Sequence, residues 1–514
     1  MPQQTFHVSA SSPGALFEGI GAVNGGGATS VLLKDYPEPQ RSQILDLVFR
    51  PKFGASVSTM LVEVPGDGNA TQGSMPSHQH TREDEDHHRG YIAWVLAEAK
   101  RRNPDLLTDA AAWSAPGWIG EGRFWHQDAA DYYLTWLRGL REVHGVELDA
   151  LGCRNEKGAD LDFLVARRET LDAGGFAGVR LHAFDDWPAD KFDFLRDLPA
   201  HPRARAALAA VGAHVLSDKR PGMPSGRAPA VVQRLLAETG LPLWNTEDHV
   251  YLDGFDALLG IAQCLNESYL HSGATRTVLW YDVAGVYPVQ PYPEQPAMLL
   301  ARWPWSGHYR VREGLWGYAH YGQFTEVGWR YADTGCGLLV GNGSVVSLVS
   351  PAGDYSVIVE TSGAREPQHL AIRMDEGLTG GPVCVWRSTA EAQFDRLEDL
   401  PVTGGQITLV AEPGAVYSLS TTRGQEKGSF DGVPSPAEFP FPYREGFAGY
   451  GVDPARHGRL PRYTADIAGA FELVECPDGP GLCCGRRRRC RRSPGRRTGS
   501  RTPSWATRAG PTTP

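Results

Sequence analysis

Between Phe17 and about residue 300, the chain alternates short apolar runs with amphipathic helical stretches, and polar residues cluster just past the runs. Gly90–Arg102 predicts a helix with Ile92, Val95, Leu96 and Ala99 on one face, stopped by Asn103-Pro104. Asp128–Val143, Asp160–Leu171, Pro229–Thr239 and Phe255–Tyr269 read as further helices. Between them lie strand-like runs at Leu106–Trp113, Leu148–Cys153, Val179–Ala183, Val211–Leu216, Leu241–Trp244 and Thr277–Asp282. Two of these lead directly into Arg154-Asn155-Glu156 and Asn245-Thr246-Glu247-Asp248. Repeated strand–helix units with this placement of polar residues fit an eight-fold β/α barrel, with a doubly wound parallel sheet as the alternative.

The grammar changes after about residue 328. Gly337–Gly341, Val345–Val349, Tyr355–Thr361, Val383–Trp386, Ile407–Ala411 and Ala415–Ser420 are short β-type runs separated by Gly, Pro, Ser and Asp, the pattern of a β-sandwich. Ser435–Tyr443 is Pro-rich and reads as a linker, and Gly446–Pro480 as the opening of a further domain. From Cys483 the composition becomes basic, with ten Arg and no Asp, Glu, Lys or His. The chain holds 7 Lys against 43 Arg, the mark of GC-rich codons, so this tail reads as disordered or as out-of-frame translation. An RNA-binding or membrane-binding basic arm is the functional alternative.

Charge excludes one class of partner. The whole chain carries −10, and without the ten tail arginines the rest carries −20, which argues against nucleic acid. No run approaches the roughly 18 apolar residues of a membrane span. Met1–His7 lacks a basic and an apolar segment of the kind that directs secretion, so the chain as written is expected in the cytoplasm, or outside the cell if the true start lies upstream. The widely spaced Cys153, Cys264, Cys336 and Cys384 form no disulfide framework.

The pair Glu156 and Glu247 carries the most chemistry. Each lies a few residues beyond a predicted strand, and in a barrel all strand C-termini point at one mouth, so the two carboxylates can face each other. Retaining glycoside hydrolysis needs one carboxylic acid and one carboxylate about 5–5.5 Å apart. Asn155 before the acid suits an amide donor to a sugar hydroxyl, although Asn-Glu is a common dipeptide and Glu247 reads equally as a helix-capping acid. Among 14 Trp, many beside Gly or Pro, some offer flat faces for sugars and most serve as core anchors. His78, His80 and the acidic stretch Glu83–Asp86 suggest metal ligands, yet no third ligand follows at a recognisable spacing, so structural histidines beside a solvated acidic loop are the preferred reading. Gly19–Gly27 fails the dinucleotide fingerprint because Asn24 stands where its third glycine belongs, and no Gly-x-Ser-x-Gly elbow occurs.

In order along the chain stand Phe17-Glu-Gly-Ile-Gly-Ala-Val-Asn-Gly-Gly-Gly-Ala-Thr-Ser30, Asp35-Tyr-Pro-Glu-Pro-Gln-Arg-Ser-Gln-Ile-Leu-Asp46, Phe53-Gly-Ala-Ser56, Pro76-Ser-His78, Trp113-Ser-Ala-Pro-Gly-Trp118, Leu243-Trp-Asn-Thr-Glu-Asp248 and Pro304-Trp-Ser-Gly-His-Tyr309. Together these runs resemble glycoside hydrolase family 59, the galactosylceramidase family. The resemblance implies an N-terminal strand (1–18) joining the sandwich, a (β/α)8 TIM barrel (19–327) and a β-sandwich (328–434). A linker with the truncated start of a lectin-like β domain (435–482) and the Arg-rich tail (483–514) follow. It implies retaining hydrolysis of β-galactosides, especially galactosyl lipids, without metal or organic cofactor. A galactoside or galactolipid and, transiently, a lipid surface are the partners implied. By motif, Glu156 matches the acid/base and Glu247 the nucleophile, while Gly26, Thr71, Trp113, Asn155 and Arg373 match galactose-binding positions.

Departures from the family pattern bear on specificity. Arg154 stands where a Trp is usual, His249-Val250 replace Phe-Ser, Val215 replaces the Tyr of Gly-Ala-His-Tyr, and no Cys precedes Arg373. Glu156 is expected to hold the higher pKa of the pair, as an acid protonated at rest. An inactive glycan-binding relative is the competing expectation, in which Arg154 pairs with Glu156 and keeps it ionised.

Overall fold

The computed structural model describes residues 3–11, 13–287, 294–450, 454–477 and 481–488. Eight parallel strands follow one another around a barrel: Gly19–Asn24, Thr59–Glu63, Leu107–Ala111, Ala150–Leu151, Arg180–Asp186, Ala210–His214, Leu243–Asp248 and Ala274–Trp280. The eighth strand pairs with the first, from Arg276 beside Gly19 to Trp280 beside Val23. Between the third and fourth strands the ring is completed by backbone bonds from Asp149, Gly152 and Asn155 N–H to the carbonyls of Thr108, Ala110 and Ala112 (3.0, 2.7 and 2.9 Å). The doubly wound alternative is thereby excluded, since an open sheet has no such closure.

The helices form where the apolar periodicity places them. Ile92–Arg102 buries Ile92, Val95, Leu96 and Ala99 against the barrel wall. Gln127–His144 ends at Gly145 in the left-handed region (φ 65°), and Gly254–Ser272 starts at Asp253, whose carboxylate accepts the Gly254 N–H. The seventh strand continues through Asn245–Asp248 instead of ending at Trp244 as the sequence suggested, so Glu247 belongs to the strand itself.

The barrel's lower interior is polar, and every charge there has a partner. Glu18 accepts from Trp244 Nε1 (2.7 Å), Thr275 Oγ1 (2.7 Å) and Arg180 Nη1 (2.9 Å). Above it Arg276 lies 3.7 Å over the Trp244 ring and reaches Asp109 at 3.2 Å. Asp109 in turn binds His182 Nε2 at 2.9 Å.

Behind the barrel, two sheets close over an apolar core that includes Val357, Val359, Leu370, Ile372, Val385 and Leu419. One sheet holds Gln4–Val8, Gln368–Met374 and Gln406–Ala411; Gln4–Val8 pairs in parallel with Gln368–Met374. The other runs from Arg330–Tyr331 through Ser344–Val349, Tyr355–Glu360, Val416–Ser420 and Val383–Ser388 to Asp395–Leu400. The strands Gln368–Met374 and Asp395–Leu400 have no counterpart in the sequence reading.

The segment after the linker docks on the barrel. Ala470–Glu475 pairs antiparallel with Leu482–Arg488, so the boundary drawn at residue 483 falls inside a strand and the first tail residues are ordered. The rest of the Arg-rich stretch lies outside the described residues. Leu473 is buried, and Ile467 and Phe471 are half-buried. Glu472 is inserted beside Arg89 Nε (2.7 Å), and the Ser74 N–H donates to the Asp466 carbonyl (2.7 Å). No helix among the described residues is long and apolar enough to cross a membrane.

Candidate active site

Glu247, on the seventh strand, and Glu156, in the loop after the fourth, meet at the barrel mouth. One oxygen of each carboxylate and a ring nitrogen of His214 all lie within 4.8 Å of one another. His214 Nδ1 is 3.2 Å from Glu156 Oε1, and His249 Nε2 is 3.2 Å from Glu247 Oε1. Glu247 is 6% exposed, whereas the Glu156 side chain is 30% exposed and faces the opening. Two carboxylates and an imidazole form a donor set that a divalent cation can use. The same closeness is what two carboxylates acting on one glycosidic bond require.

The Glu156 loop is pinned at several points. Glu156 itself sits at φ 55°, a backbone state that costs a residue with a side chain about 1 kcal/mol or more. Its N–H donates to the Asp185 carbonyl (3.0 Å), the Asn155 N–H to Ala112, and the Gly158 N–H to Asp186 Oδ2 (2.8 Å). On the Glu247 side, Asp248 is fully buried and accepts the N–H groups of Ser217 (2.8 Å) and Asp218 (2.9 Å) and the Asn245 amide (2.6 Å).

Glu156 does not carry the raised pKa that the sequence led one to expect of it. Burial pushes the Glu156 carboxyl up, but the hydrogen bond and positive charge of His214, followed by His249 and Lys157, outweigh it and hold Glu156 below its ordinary value. His214 moves the other way: burial disfavours its cation, yet Glu156, Glu247 and Asp185 together raise it above the ordinary imidazole value. Both shifts favour the arrangement in which His214 carries the proton and Glu156 is ionised beside it. The sequence reading missed this because His214 lies on a different strand, 58 positions away. Its sequence signals were its place in the predicted strand Val211–Leu216 and in the stretch that resembles Gly-Ala-His-Tyr.

Arg154 does not hold Glu156. Its guanidinium lies 4.2 Å over the Phe124 ring, and among the described contacts the ionic partner of Glu156 is His214. His249, which stands where the family pattern has Phe, is in direct contact with Glu247 and packs edge-on against Tyr251 (5.3 Å) and Trp280 (6.3 Å).

The candidate sugar-binding positions divide. Gly26, Thr71 and Trp113 gather round the glycine run. A Cβ on Gly26 would stand 3.2 Å from Thr71 Oγ1 and 3.3 Å from Trp280 Nε1, and one on Gly25 would stand 3.2 Å from the Trp113 ring. With φ at 81° and 100°, Gly26 and Gly27 also occupy backbone states that favour glycine. Glu63, which sequence reasoning overlooked, holds this loop from beneath: Oε2 accepts the Gly27 N–H at 2.6 Å, and burial pushes its carboxyl up to about 7. Asn155 is buried beside the pair. Arg373 is not brought into the group: it is exposed on the sandwich strand Gln368–Met374, and its side chain donates to Gln406 (3.2 Å).

The residues of the histidine-rich loop turn to separate partners. His78 is buried against Tyr132 (4.1 Å between ring centroids), and that burial holds its pKa well below the ordinary value. His80 binds Asp67 at 2.8 Å; burial opposes its charge, but the bonds to Asp67 and Glu472 prevail and raise it to about 9. The metal-site alternative read from this loop has no converging third ligand among the described residues.

A family model described as Glycosyl hydrolase family 59 matches residues 17–323. The galactocerebrosidase of Homo sapiens is 33% identical over 495 residues, covering 91% of this chain and 69% of that protein. The galactocerebrosidase of Salmo salar is 34% identical over 496 residues, covering 91% and 71%. Among solved structures, the catalytic domain of a GH30 xylanase C from Talaromyces cellulolyticus superposes with a TM-score of 0.63 at 14% identity, over 82% of this chain and 100% of that one. A GH30 subfamily 8 xylanase from Clostridium acetobutylicum gives 0.60 at 14% identity, over 80% and 98%. At such identities these structures speak to the fold alone.

Proposed function

Because the chain belongs to glycosyl hydrolase family 59, we propose that it is a retaining β-galactosidase that releases galactose from galactosylceramide or a related galactolipid. The observation that carries the mechanism is the approach of Glu156 and Glu247 to within 4.8 Å, the close spacing of retaining enzymes rather than the wider gap that inverting ones leave for water. The names of its relatives supply the substrate class.

Glu247, buried on its strand and matched by motif to the nucleophile, takes that role. It attacks the anomeric carbon as the bond to the leaving oxygen breaks. Glu156 faces the opening and gives that oxygen its proton. The proton reaches Glu156 from His214 along the 3.2 Å contact, which reconciles an acid role with a carboxyl ionised at rest. In the second half, Glu156 takes a proton from water, whose oxygen displaces Glu247 from the anomeric carbon and frees galactose. Asn155, Gly26, Thr71 and Trp113 bind the sugar, and the lipid part is met by brief contact with the surface that carries it. Arg154, occupied by Phe124, gives no support to an inactive relative.

The test is mass spectrometry after incubation with a 2-deoxy-2-fluoro-β-galactosyl fluoride, which forms the glycosyl-enzyme and releases it slowly. One galactosyl adduct on the peptide containing Glu247 is expected. A folded protein with no adduct, or an adduct elsewhere, would overturn the assignment.

A further inference from the structure

Beneath the two carboxylates lies a fully buried residue that the reaction above does not use. We propose that Asp185 is a positioning residue that sets the spacing of Glu156 and Glu247; this rests on reading those two as the reacting pair. Asp185 is the last residue but one of the fifth barrel strand, sits at φ 59° and is 1% exposed. Its carbonyl accepts the Glu156 N–H at 3.0 Å. Its carboxylate accepts the hydroxyl of Thr246, the residue before Glu247, at 2.9 Å. Both reacting side chains are thus referred to one residue, one through its main chain and the other through its side chain.

The surroundings are shaped to hold Asp185 in place. A Cβ on Gly152 would fall 2.6 Å from Asp185 Oδ2 and 2.7 Å from His182 Cε1; one on Gly212 would fall 2.0 Å from Asp185 Oδ1 and 2.8 Å from His182 Nδ1. Glycine therefore stands just past the fourth strand and within the sixth, where the Asp185–His182 pair needs the space. His182 Nδ1 donates to Asp185 at 2.7 Å and Nε2 to Asp109 at 2.9 Å, and Asp109 is paired with Arg276. Burial disfavours the His182 cation, but the two carboxylates raise its pKa to about 9 and keep both nitrogens as donors. Asp185 is consequently an acceptor fixed from below, with alternating charges running down the barrel axis.

Thr246→Val removes the hydroxyl and keeps the shape, and Thr246→Ser restores it. The readout is trapping by the fluorogalactosyl fluoride, resolved into reagent affinity and rate at saturation. Thr246→Val should slow the saturated rate roughly 10- to 100-fold with affinity little changed, the signature of a misplaced reacting group. Thr246→Ser should recover most of that rate. A merely structural role would lower the fraction of labelled protein and leave the rate of each labelled molecule normal, which would overturn the proposal. So would wild-type kinetics in Thr246→Val. Asp185→Asn should show the same split; if it fails to fold, the Thr246 pair decides. Absence of label on the wild-type protein overturns the reading of the pair itself, an outcome distinct from equal labelling of wild type and Thr246→Val.

Discussion

Replacing Gly212 by alanine adds one methyl group to the barrel interior, and the structure fixes what that methyl meets. Its Cβ would stand 2.0 Å from Asp185 Oδ1 and 2.8 Å from His182 Nδ1, well inside van der Waals contact. Neither atom belongs to a flexible side-chain end, since Asp185 Oδ1 also binds Thr246 and His182 is held from the far side by Asp109. Relief requires Asp185 to withdraw from His182. The cost is then that of breaking a buried ion pair, about 3–5 kcal/mol, and not the 1–3 kcal/mol of ordinary overpacking. For a barrel of this size that corresponds to roughly 5–10 °C of melting temperature. Gly178→Ala is the control: nothing lies within 4 Å of its Cβ, and its φ is not positive, so it should be neutral or stabilise by about 0.4–1 kcal/mol. Calorimetry or denaturant titration of both variants measures the difference. Combining Gly212→Ala with Asp185→Ala should cost much less than the sum of the two, because the atom in collision is gone. A Gly212→Ala variant within 1 kcal/mol of wild type, or strict additivity in the double variant, would refute the reasoning.

His214→Asn removes the group that both lowers Glu156 and supplies its proton, so the basic limb of the kcat/KM profile should move to lower pH, where a carboxyl titrates instead of an imidazole; an unmoved limb would count against His214 as donor. Stability should fall between pH 6.5 and 8. His80 and His182 keep their protons to about 9 and Glu63, Asp282 and Asp466 to about 7, whereas the unfolded chain has lost these protons sooner, so the native advantage drains as pH rises; a melting temperature that climbs over that interval would contradict the shifts. Glu472→Ala should loosen the docked segment by roughly 3 kcal/mol, the low end for a broken buried pair because Arg89 keeps Asp84. Hydrogen exchange should then quicken in Ala470–Glu475 and Leu482–Arg488 while the barrel strands stay protected.

The barrel was legible because its evidence is local. Apolar spacing along Ile92–Arg102 and Gln127–His144, and polar residues just past short strands, need no knowledge of distant partners. Glu156 and Glu247 stood out for the same reason. The strand Asp395–Leu400 was missed because an edge strand of mostly charged, half-exposed residues lacks the apolar alternation that marks a strand. The lowered pKa of Glu156 was illegible in principle, since His214 and Glu156 meet only when two strands lie side by side. Asp185 escaped notice likewise: its role is a conjunction of His182, Thr246, Gly152 and Gly212 from four barrel segments. Arg373, matched through a short motif, lies exposed on a sandwich strand with its side chain bonded to Gln406, a placement the motif alone does not reveal.

The parallel pairing of Gln4–Val8 with Gln368–Met374 places a schedule on synthesis. Gln4 and Gln368, hydrogen-bonded in the finished protein, are 364 positions apart. At roughly 5–20 residues per second, the ribosome needs about 20–70 s to make the second after the first. For that interval Val8 and Phe6, both destined for the sandwich interior, have no sheet to enter, while all eight barrel strands emerge beside them. A strand made before the barrel is thus paired only after it, and the growing chain carries an unpaired, β-prone segment throughout that interval.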